Sequence, residues 1–226
     1  MALAAGRQVR AVWTNELGGR TFEISGADGR QFVKWAPPDS EFCLANEAAR
    51  LRWAVNFAVV PWVLGNGSNE YGQWLLTAAL PGECAISPRW KADPATAVAA
   101  LGAGLRALHD ALPVETCPFS WSVHTRLARA AEIPPELRDP PPVDRLVVCH
   151  GDPCSPNTLI DDSGNWSGHV DFEEMGVADR WADLAVATWA ATWNYGPGWE
   201  NALLEAYGIE PDPARTAYYR RLWETC

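Results

Sequence analysis

Apolar and polar residues alternate in short stretches over the first eighty positions, and glycine-containing segments separate these stretches. A period of two residues is typical of β-strands that bury one face. The pattern predicts strands over residues 8–13, 20–24, 31–35, 59–64 and 72–80, with turns at 15–19, 26–29 and 65–68. We therefore expect a small antiparallel sheet in this part of the chain.

One helix is predicted between the third and fourth of these strands. Leu44, Ala48, Leu51 and Val55 recur at the spacing of a helix face, and Ser40 is a suitable N-cap. The first eighty residues should thus form one compact lobe, which ends near the Pro81-Gly82 pair.

Helical spacing dominates after residue 81. Helices are predicted over 94–110, 122–131 and 180–193, and His109, near the end of the first, is expected to contact terminal carbonyl groups. Short strands are predicted at 145–149, 158–160 and 166–172, the last two joined by a hairpin turn at 161–165. The fold class is α+β, with domains at 1–80 and 81–226.

Candidate catalytic groups cluster around the last three strands. His150-Gly151-Asp152 follows the 145–149 strand, where loops commonly present functional side chains. Asn157 and Asp171 lie at the two ends of the predicted hairpin, which should bring them together. Carboxylate and amide oxygens are the ligands that Mg²⁺ uses beside phosphates. The pattern predicts a magnesium-phosphate site with Asp152 close to it.

Lys34 is a second candidate, because it lies within an apolar strand and is one of only two lysines among eighteen basic residues. Glu47, on the predicted helix, is a suitable partner. A phosphate-binding pair, an ordinary structural ion pair and no contact at all between Lys34 and Glu47 are open at this point.

The formal net charge of −10 belongs entirely to the second part of the chain. Residues 1–80 hold seven basic and seven acidic residues, whereas 81–226 hold eleven and twenty-one. This asymmetry argues against nucleic acid or an anionic membrane as partner and favours a cationic small molecule, although acidic surfaces also serve solubility. The six cysteines form no disulfide pattern, and no signal peptide or membrane span is predicted, so we expect a cytoplasmic protein.

Taken together, these motifs resemble a known enzyme family. His150-x-Asp152 with Asn157, then Asp171 and the segment from Gly176 to Asp183, is similar to the aminoglycoside phosphotransferases, especially the 3′-phosphotransferases. The resemblance implies a two-lobed protein-kinase-like fold, with a nucleotide-binding lobe at 1–80 and a catalytic and substrate-binding lobe at 81–226. It also implies transfer of the γ-phosphate of ATP or GTP to a hydroxyl of an aminoglycoside, which confers antibiotic resistance.

The resemblance assigns roles to individual residues. Asp152 is expected to be the catalytic base, and Asn157 and Asp171 to bind Mg²⁺. Nucleotide binding is expected of Lys34, Glu47, Gly18 and Gly19, and structural support of His150, Arg180 and Asp183.

This sequence departs from the family pattern in three places. Glu173-Glu174 stands where the family usually has Gly-Arg, the helical insertion before residue 145 is short, and the terminal aromatic residues are missing. Glu173, Glu174, Glu224 and Cys226 are candidates for substrate binding. Two alternatives stay open: a kinase of another hydroxylated compound on the same fold, and a nucleotide-binding protein with little transferase activity. A protein kinase is disfavoured, because no activation loop precedes Gly176.

Overall fold

A computed structural model of the protein describes residues 6–15, 18–27, 29–40 and 43–225. The chain divides into two compact units, one formed by residues 1–56 and 60–80 and the other by 57–59 and 81–226. Within the described residues, no helix combines the length and the apolar character needed to cross a membrane.

The first unit is a five-stranded antiparallel sheet with one helix. Its elements in chain order are β1 (Gln8–Thr14), β2 (Arg20–Gly26), β3 (Gly29–Ala36), α1 (Leu44–Ala54), β4 (Val63–Asn69) and β5 (Gly72–Ala78). The strand order is β1-β2-β3-β5-β4. Leu44, Ala48, Leu51 and Ala54 of α1 are buried, and α1 packs on β3, β4 and β5. The predicted small sheet with one helix is confirmed.

Two details of the first unit differ from the predictions. Residues 65–68 belong to β4 rather than to a turn, and the strand predicted at 59–64 begins only at Val63. Gly65 and Gly67 are needed because the Trp74 ring lies against them, 3.3 and 3.1 Å from where a Cβ would be. The glycines therefore allow close packing within the sheet, and the turn lies between Asn69 and Gly72.

Ser40 was predicted to be the N-cap of α1, and this prediction is wrong. Cys43 occupies that position and makes no side-chain cap. The backbone N–H of Leu44 instead donates to Gln73 Oε1 at 2.7 Å. A side chain from β5 thus replaces the local cap, and this cannot be read from sequence spacing.

The second unit is mainly helical and carries two small sheets. Its helices are α2 (Pro88–Ala92), α3 (Pro94–Ala111), α4 (Val123–Leu127), α5 (Trp181–Tyr195), α6 (Glu200–Tyr207) and α7 (Pro213–Thr225). Its strands are β6 (Glu83–Cys84), β7 (Leu146–Cys149), β8 (Thr158–Ile160), β9 (Trp166–His169) and β10 (Gly176–Asp179). β6, β8 and β9 form one antiparallel sheet, and β7 pairs with β10 in the other.

The core of the second unit forms where α3 packs on α6 and α5 packs on α6 and α7. Leu105 and Leu108 of α3, Leu184 of α5, Leu203 of α6 and Leu222 of α7 are all buried. The apolar stripe predicted on α3 is therefore a core face. Since α5 is also buried along most of its length, it can serve as a rigid support for the loops above its first turn.

Two boundaries in this unit were predicted imperfectly, and one strand was missed. The return strand expected over 166–172 ends at His169, and the helix expected over 122–131 ends at Leu127. β10 was not predicted as a strand at all. It forms because Gly176–Asp179 pairs antiparallel with β7, a contact between segments about thirty residues apart.

Candidate functional site

The His150-Gly151-Asp152 segment leaves the end of β7, where Cys149 pairs with Gly176 of β10. Gly151 has a φ of 87°. A Cβ at this position would lie 2.3 Å from the carbonyl oxygen of Glu174. Both its backbone angle and its contact with the neighbouring segment therefore require glycine.

Asp183, in the first turn of α5, fixes the backbone of this loop by hydrogen bonds. Its Oδ2 accepts the backbone N–H of His150 at 2.6 Å, and its Oδ1 accepts that of Gly151 at 2.9 Å. The carboxylate has no solvent exposure. A buried charge needs such donors, and here the donors are the backbone of the loop that presents Asp152.

His109 supplies a third donor to Asp183, a contact that the sequence did not reveal. Its Nε2 lies 2.9 Å from Asp183 Oδ2, and its Nδ1 lies 2.8 Å from the hydroxyl of Tyr207 on α6. The expectation that His109 contacts helix-terminal carbonyls is wrong, because its side chain lies on the buried face of α3.

Two opposing effects set the pKa of Asp183. Burial favours the neutral acid, but the hydrogen bond and charge interaction with His109, together with donation from Gly151, outweigh burial and hold the pKa below its ordinary value. Asp183 is therefore an ionised brace at neutral pH.

His150 connects the loop to the segment before Asp171. Its Nε2 is 2.9 Å from the carbonyl oxygen of Val170, and its Nδ1 accepts the N–H of Asp152 at 3.3 Å. Both contacts are satisfied by a neutral imidazole with the proton on Nε2. The ring also lies against Phe172, with a centroid distance of 4.6 Å.

Asn157 ends the 3-10 turn Ser155–Asn157 and lies beside Asp152. Its Nδ2 donates to the backbone oxygen of Asp152 at 2.9 Å and to its Oδ2 at 3.2 Å. These bonds orient the amide so that its Oδ1 oxygen is left available to a cation. Asp152 Oδ1 is buried, with no hydrogen-bond partner among the residues that the structure describes. A buried oxygen in that state is a suitable acceptor for a ligand proton.

The hairpin β8-β9 brings Asp171 to the same end as Asn157, as the sequence predicted. Thr158 pairs with His169, and the N–H of Val170 donates to the carbonyl of Asn157 at 2.9 Å. Asp171 itself has a φ of 70°, and no other non-glycine residue in the described ranges has a positive φ. Such a conformation in a non-glycine residue is strained and is found mainly at functional positions.

The donor set of this hairpin fits a hard divalent cation. The Asn157 amide oxygen and the Asp171 carboxylate are oxygen ligands, which Mg²⁺ prefers. Burial raises the pKa of the Cys154 thiol near this hairpin, and the Asp152 carboxylate raises it further. Cys154 is therefore neutral at physiological pH.

A buried trio, His109, Cys149 and Asp183, also brings possible metal-binding atoms together. Each group has another function in the fold, because Asp183 and His109 brace the loop and Cys149 Sγ lies 3.4 Å from the Asp179 carbonyl. Burial raises the pKa of the Cys149 thiol well above its ordinary value. We interpret the trio as structural.

Glu174 is held by two arginines of the α4 region, a contact that the sequence did not predict. Arg126 Nη1 donates to Glu174 Oε2 at 2.6 Å, and Arg129 Nη1 donates to the same oxygen at 2.8 Å. Arg126 is buried, and its guanidinium lies over the Trp121 ring at 4.7 Å. Glu174, the acid that departs from the family pattern, is thus paired with two positive charges.

The remaining substrate candidates are Glu173, Glu224 and Cys226. Glu173 is half-buried in the segment after Asp171. Glu224 is exposed on α7, with Arg221 Nη1 3.7 Å from its Oε2. Cys226 lies outside the described residues. The substrate roles of these residues stay predictions.

Arg180 stabilises the approach to α5. Its Nε donates to Asp144 Oδ2 at 2.6 Å, and its N–H donates to the carbonyl of Arg145 at 2.9 Å. It therefore connects the start of β7 to the helix that carries Asp183.

In the first unit, Lys34 of β3 and Glu47 of α1 form an ion pair. The Lys34 Nζ donates to Glu47 Oε1 at 2.8 Å and to Oε2 at 2.9 Å. Glu47 is buried, while a quarter of the Lys34 side chain is exposed. The ammonium group is thus fixed in place with part of its surface still accessible.

Gly18 and Gly19 lie in the turn between β1 and β2, and their amide groups are used within it. Gly18 N donates to the Asn15 carbonyl at 3.2 Å, and Gly19 N donates to Asn15 Oδ1 at 2.6 Å. Residues 16 and 17 of this turn lie outside the described residues. A role in nucleotide binding stays a prediction.

The site has a loop carboxylate, Asp152, beside the oxygen-bearing side chains of a hairpin. The same chain pairs a lysine on a strand with a glutamate on a helix. This combination is typical of a kinase-like phosphotransferase. A sequence profile of the phosphotransferase enzyme family matches residues 14–219, and the chain belongs to this family.

Similar proteins agree with this assignment. An aminoglycoside 3′-phosphotransferase of Streptomyces fradiae is 34% identical, over 84% of this chain and 82% of its own. The crystal structure of an aminoglycoside 3′-phosphotransferase of type VIII has a TM-score of 0.75 at 30% identity, over 99% of this chain and 96% of the other. An aminoglycoside phosphotransferase of Streptomyces rimosus, in complex with ADP and streptomycin, has a TM-score of 0.69 at 27% identity, over 97% and 92%.

These findings confirm the predicted family, the kinase-like α+β fold and the enzyme class. Like its relatives, the protein is a phosphotransferase that acts on hydroxyl groups and uses a nucleotide as co-substrate.

The hydrogen bonds that the Asp183 carboxylate accepts from the catalytic loop and from His109 predict that Asp183→Asn loses stability in a pH-dependent way. The substitution puts an NH₂ group in place of one carboxylate oxygen, where it faces at least one of the three donors, and we expect the free energy of unfolding to fall by about 2–4 kcal/mol at pH 7. Because the folded-state pKa of Asp183 is depressed, its contribution is complete above the unfolded pKa of about 4 and declines as the pH falls below it. Urea unfolding of both proteins from pH 3 to 8 measures the difference. A difference that stays constant down to pH 3 would contradict an ionised brace.

Because Arg126 and Arg129 both bind Glu174, we expect that reversing the charge at position 174 lowers the stability of the fold. Glu174→Arg places three guanidinium groups together and should lower the free energy of unfolding by about 1–3 kcal/mol. The double variant Arg126→Glu/Glu174→Arg should recover part of this loss, which a double-mutant cycle measures. Arg138→Glu, on the surface, is the control. Additive effects of the two substitutions would show that the ion pair contributes nothing.

Proposed function

We propose that this protein transfers the γ-phosphate of ATP or GTP to a hydroxyl of an aminoglycoside-type compound. The single observation that carries the proposal is Asp152 Oδ1, a buried oxygen with no hydrogen-bond partner in the described part of the chain, on a loop that Asp183 holds in place. The family membership and the names of its relatives support the choice of substrate class.

Asp152 is the proposed catalytic base. In this role it accepts, or at least orients, the proton of the substrate hydroxyl as that oxygen bonds to the γ-phosphorus and the nucleoside diphosphate leaves. Its second oxygen is held by Asn157 at 3.2 Å, so the carboxylate has one defined orientation. A positioned base contributes roughly 10²–10⁴-fold to the rate.

Asn157 and Asp171 are the proposed ligands of a nucleotide-bound Mg²⁺. When bound, the ion would neutralise charge on the β- and γ-phosphates. The residues' own contribution is a preformed pair of oxygen ligands, since the hairpin register and the positive φ of Asp171 fix where both are presented.

Lys34 is the proposed partner of the α- and β-phosphate oxygens. Glu47 keeps the ammonium group in one orientation, and both its oxygens are already within 3 Å of Nζ. The 1–80 segment is accordingly the proposed nucleotide-binding lobe and 81–226 the proposed catalytic and substrate-binding lobe.

The contacts of Glu174 argue against a protein that merely binds nucleotide. That alternative was suggested by the acidic pair Glu173-Glu174, and the Glu174 carboxylate is balanced by Arg126 and Arg129. The charge of Glu174 therefore does not by itself weaken binding of a phosphoryl group.

A coupled assay of nucleoside diphosphate release tests the proposal directly. Purified protein is supplied with Mg-ATP or Mg-GTP and a panel of aminoglycosides, and drug susceptibility is measured in a host that expresses the chain. We expect phosphorylation of at least one compound and a raised inhibitory concentration for the same compound. Release that no member of the panel stimulates would reject the aminoglycoside class.

Asp152→Asn should separate nucleotide binding from transfer. The amide keeps the shape of the side chain but cannot accept the hydroxyl proton, so we expect the rate constant of transfer to fall by about 10²-fold or more. Nucleotide affinity, measured by calorimetry, should change less than threefold. Asp162→Asn, on the exposed hairpin turn, is the matched control. Turnover within a few-fold of wild type would remove Asp152 from the mechanism.

A further inference from the structure

The hydrogen bonds around Asp183 continue past His109 to a tyrosine on α6. His109 Nε2 lies 2.9 Å from Asp183 Oδ2, and His109 Nδ1 lies 2.8 Å from the Tyr207 hydroxyl. All three residues are buried, and none of them is more than 3% exposed. One imidazole and one carboxylate therefore join the Tyr207 hydroxyl to the backbone of the catalytic loop.

The position of Tyr207 is set by close packing of α6 on α3. A Cβ at Gly102 of α3 would lie 2.4 Å from the carbonyl oxygen of Leu203 and 2.9 Å from the backbone nitrogen of Tyr207. Glycine is required at this position, because any side chain would push the two helices apart. The close approach lets the Tyr207 side chain reach His109, which lies about two turns further along α3.

The chemistry of the groups fixes the direction of each hydrogen bond in this chain. An ionised carboxylate only accepts, so His109 donates from Nε2 to Asp183. Nδ1 of the neutral imidazole is then an acceptor, and the Tyr207 hydroxyl donates to it. Burial raises the pKa of the Tyr207 hydroxyl to about 12, although the charge of Arg180 and a hydrogen bond with it oppose the rise. The hydroxyl therefore keeps its proton at neutral pH and serves as a donor.

The backbone of the catalytic loop depends on how the Asp183 carboxylate is held. Its Oδ2 is shared by His109 Nε2 at 2.9 Å and the N–H of His150 at 2.6 Å, and its Oδ1 accepts the N–H of Gly151 at 2.9 Å. Without the Tyr207 hydroxyl, His109 Nδ1 would be a buried acceptor that has lost its donor, which is unfavourable. A ring that turns to relieve this loss moves its other nitrogen away from Asp183 and alters the bonds to the loop.

We propose that Tyr207 is a positioning residue of the transfer reaction. Its hydroxyl holds the His109 ring in the orientation from which His109 and Asp183 together fix the backbone that presents Asp152. Tyr207 thus acts on the alignment of the base through two intervening side chains. This rests on the proposed function, in which Asp152 is that base.

Tyr207→Phe removes the hydroxyl and keeps the ring that packs in the core. Misalignment of a base weakens the transition state more than ground-state binding. We therefore expect kcat to fall about tenfold, while KM of the nucleotide and of the hydroxyl substrate stay within about twofold of wild type. Nucleoside diphosphate release is measured with the best substrate, at a temperature where urea unfolding shows both proteins to be folded.

Tyr218→Phe is the matched control. Tyr218, on α7 of the same unit, donates its hydroxyl to the carbonyl of Leu137 at 3.1 Å, so this variant also loses one tyrosine hydrogen bond. Its kcat should stay within about twofold of wild type. Equal kcat values for folded Tyr207→Phe and Tyr218→Phe would overturn the proposal, because the Tyr207 hydroxyl would then have no special effect on transfer.

A nuclear magnetic resonance measurement observes the loop itself and needs no turnover. Among the four histidines, only His150 is followed by glycine. Protein labelled with carbonyl-¹³C histidine and ¹⁵N glycine therefore gives a single correlation signal, that of the Gly151 N–H, which donates to Asp183 Oδ1 at 2.9 Å. We expect Tyr207→Phe to shift the proton of this signal upfield, because its hydrogen bond weakens, and Tyr218→Phe to leave it in place.

This signal separates the positioning role from the proposed function. A shifted Gly151 signal in Tyr207→Phe supports the positioning role even if no aminoglycoside is phosphorylated, a result that would reject only the substrate class. An unchanged Gly151 signal in folded Tyr207→Phe overturns the proposal, whatever the rate of transfer.

Discussion

The second unit depends on one buried carboxylate, that of Asp183. Moving this charge out of water is unfavourable, and the cost is offset only because two backbone N–H groups and the His109 ring point at its oxygens. Those donors belong to two segments, the catalytic loop and α3, and the carboxylate belongs to α5, so satisfying one charge fixes the relative positions of all three. Tyr207 extends the same network to α6 through His109.

A chain of hydrogen bonds connects Asp183 to the proposed reactive groups. His150 is fixed at its backbone by Asp183 and at its ring by the carbonyl of Val170, immediately before Asp171. Asn157 binds Asp152 from the other side. The segment after Asp171 is held in turn by Arg126 and Arg129 through Glu174, whose carbonyl lies against Gly151. The acid that departs from the family pattern at Glu174 is balanced by Arg126 of α4 and by Arg129, two residues after the helix ends.

Features that depend on local pattern could be predicted from the sequence, whereas those that depend on distant contacts could not. The β8-β9 hairpin, the strand before His150 and the ion pair of Lys34 with Glu47 follow from alternation, turn residues and helical spacing. The assignment of Gly65 and Gly67 to a turn failed because a glycine that allows a Trp74 ring to approach has the same sequence signal as a glycine in a turn. The strand at Gly176–Asp179 and the roles of His109, Arg126 and Arg129 arise from partners 30 to 75 residues away. For His109 the signal was its place among the apolar positions of α3, where a polar side chain needs a buried partner.

Helix α5 contacts its neighbours on two separate flanks. The residues that hold the loop lie on one side of its axis and at its ends, while Trp189 and Trp193 lie on another flank. Mutations on the tryptophan flank can therefore change that surface while the contacts that hold the catalytic loop are left intact.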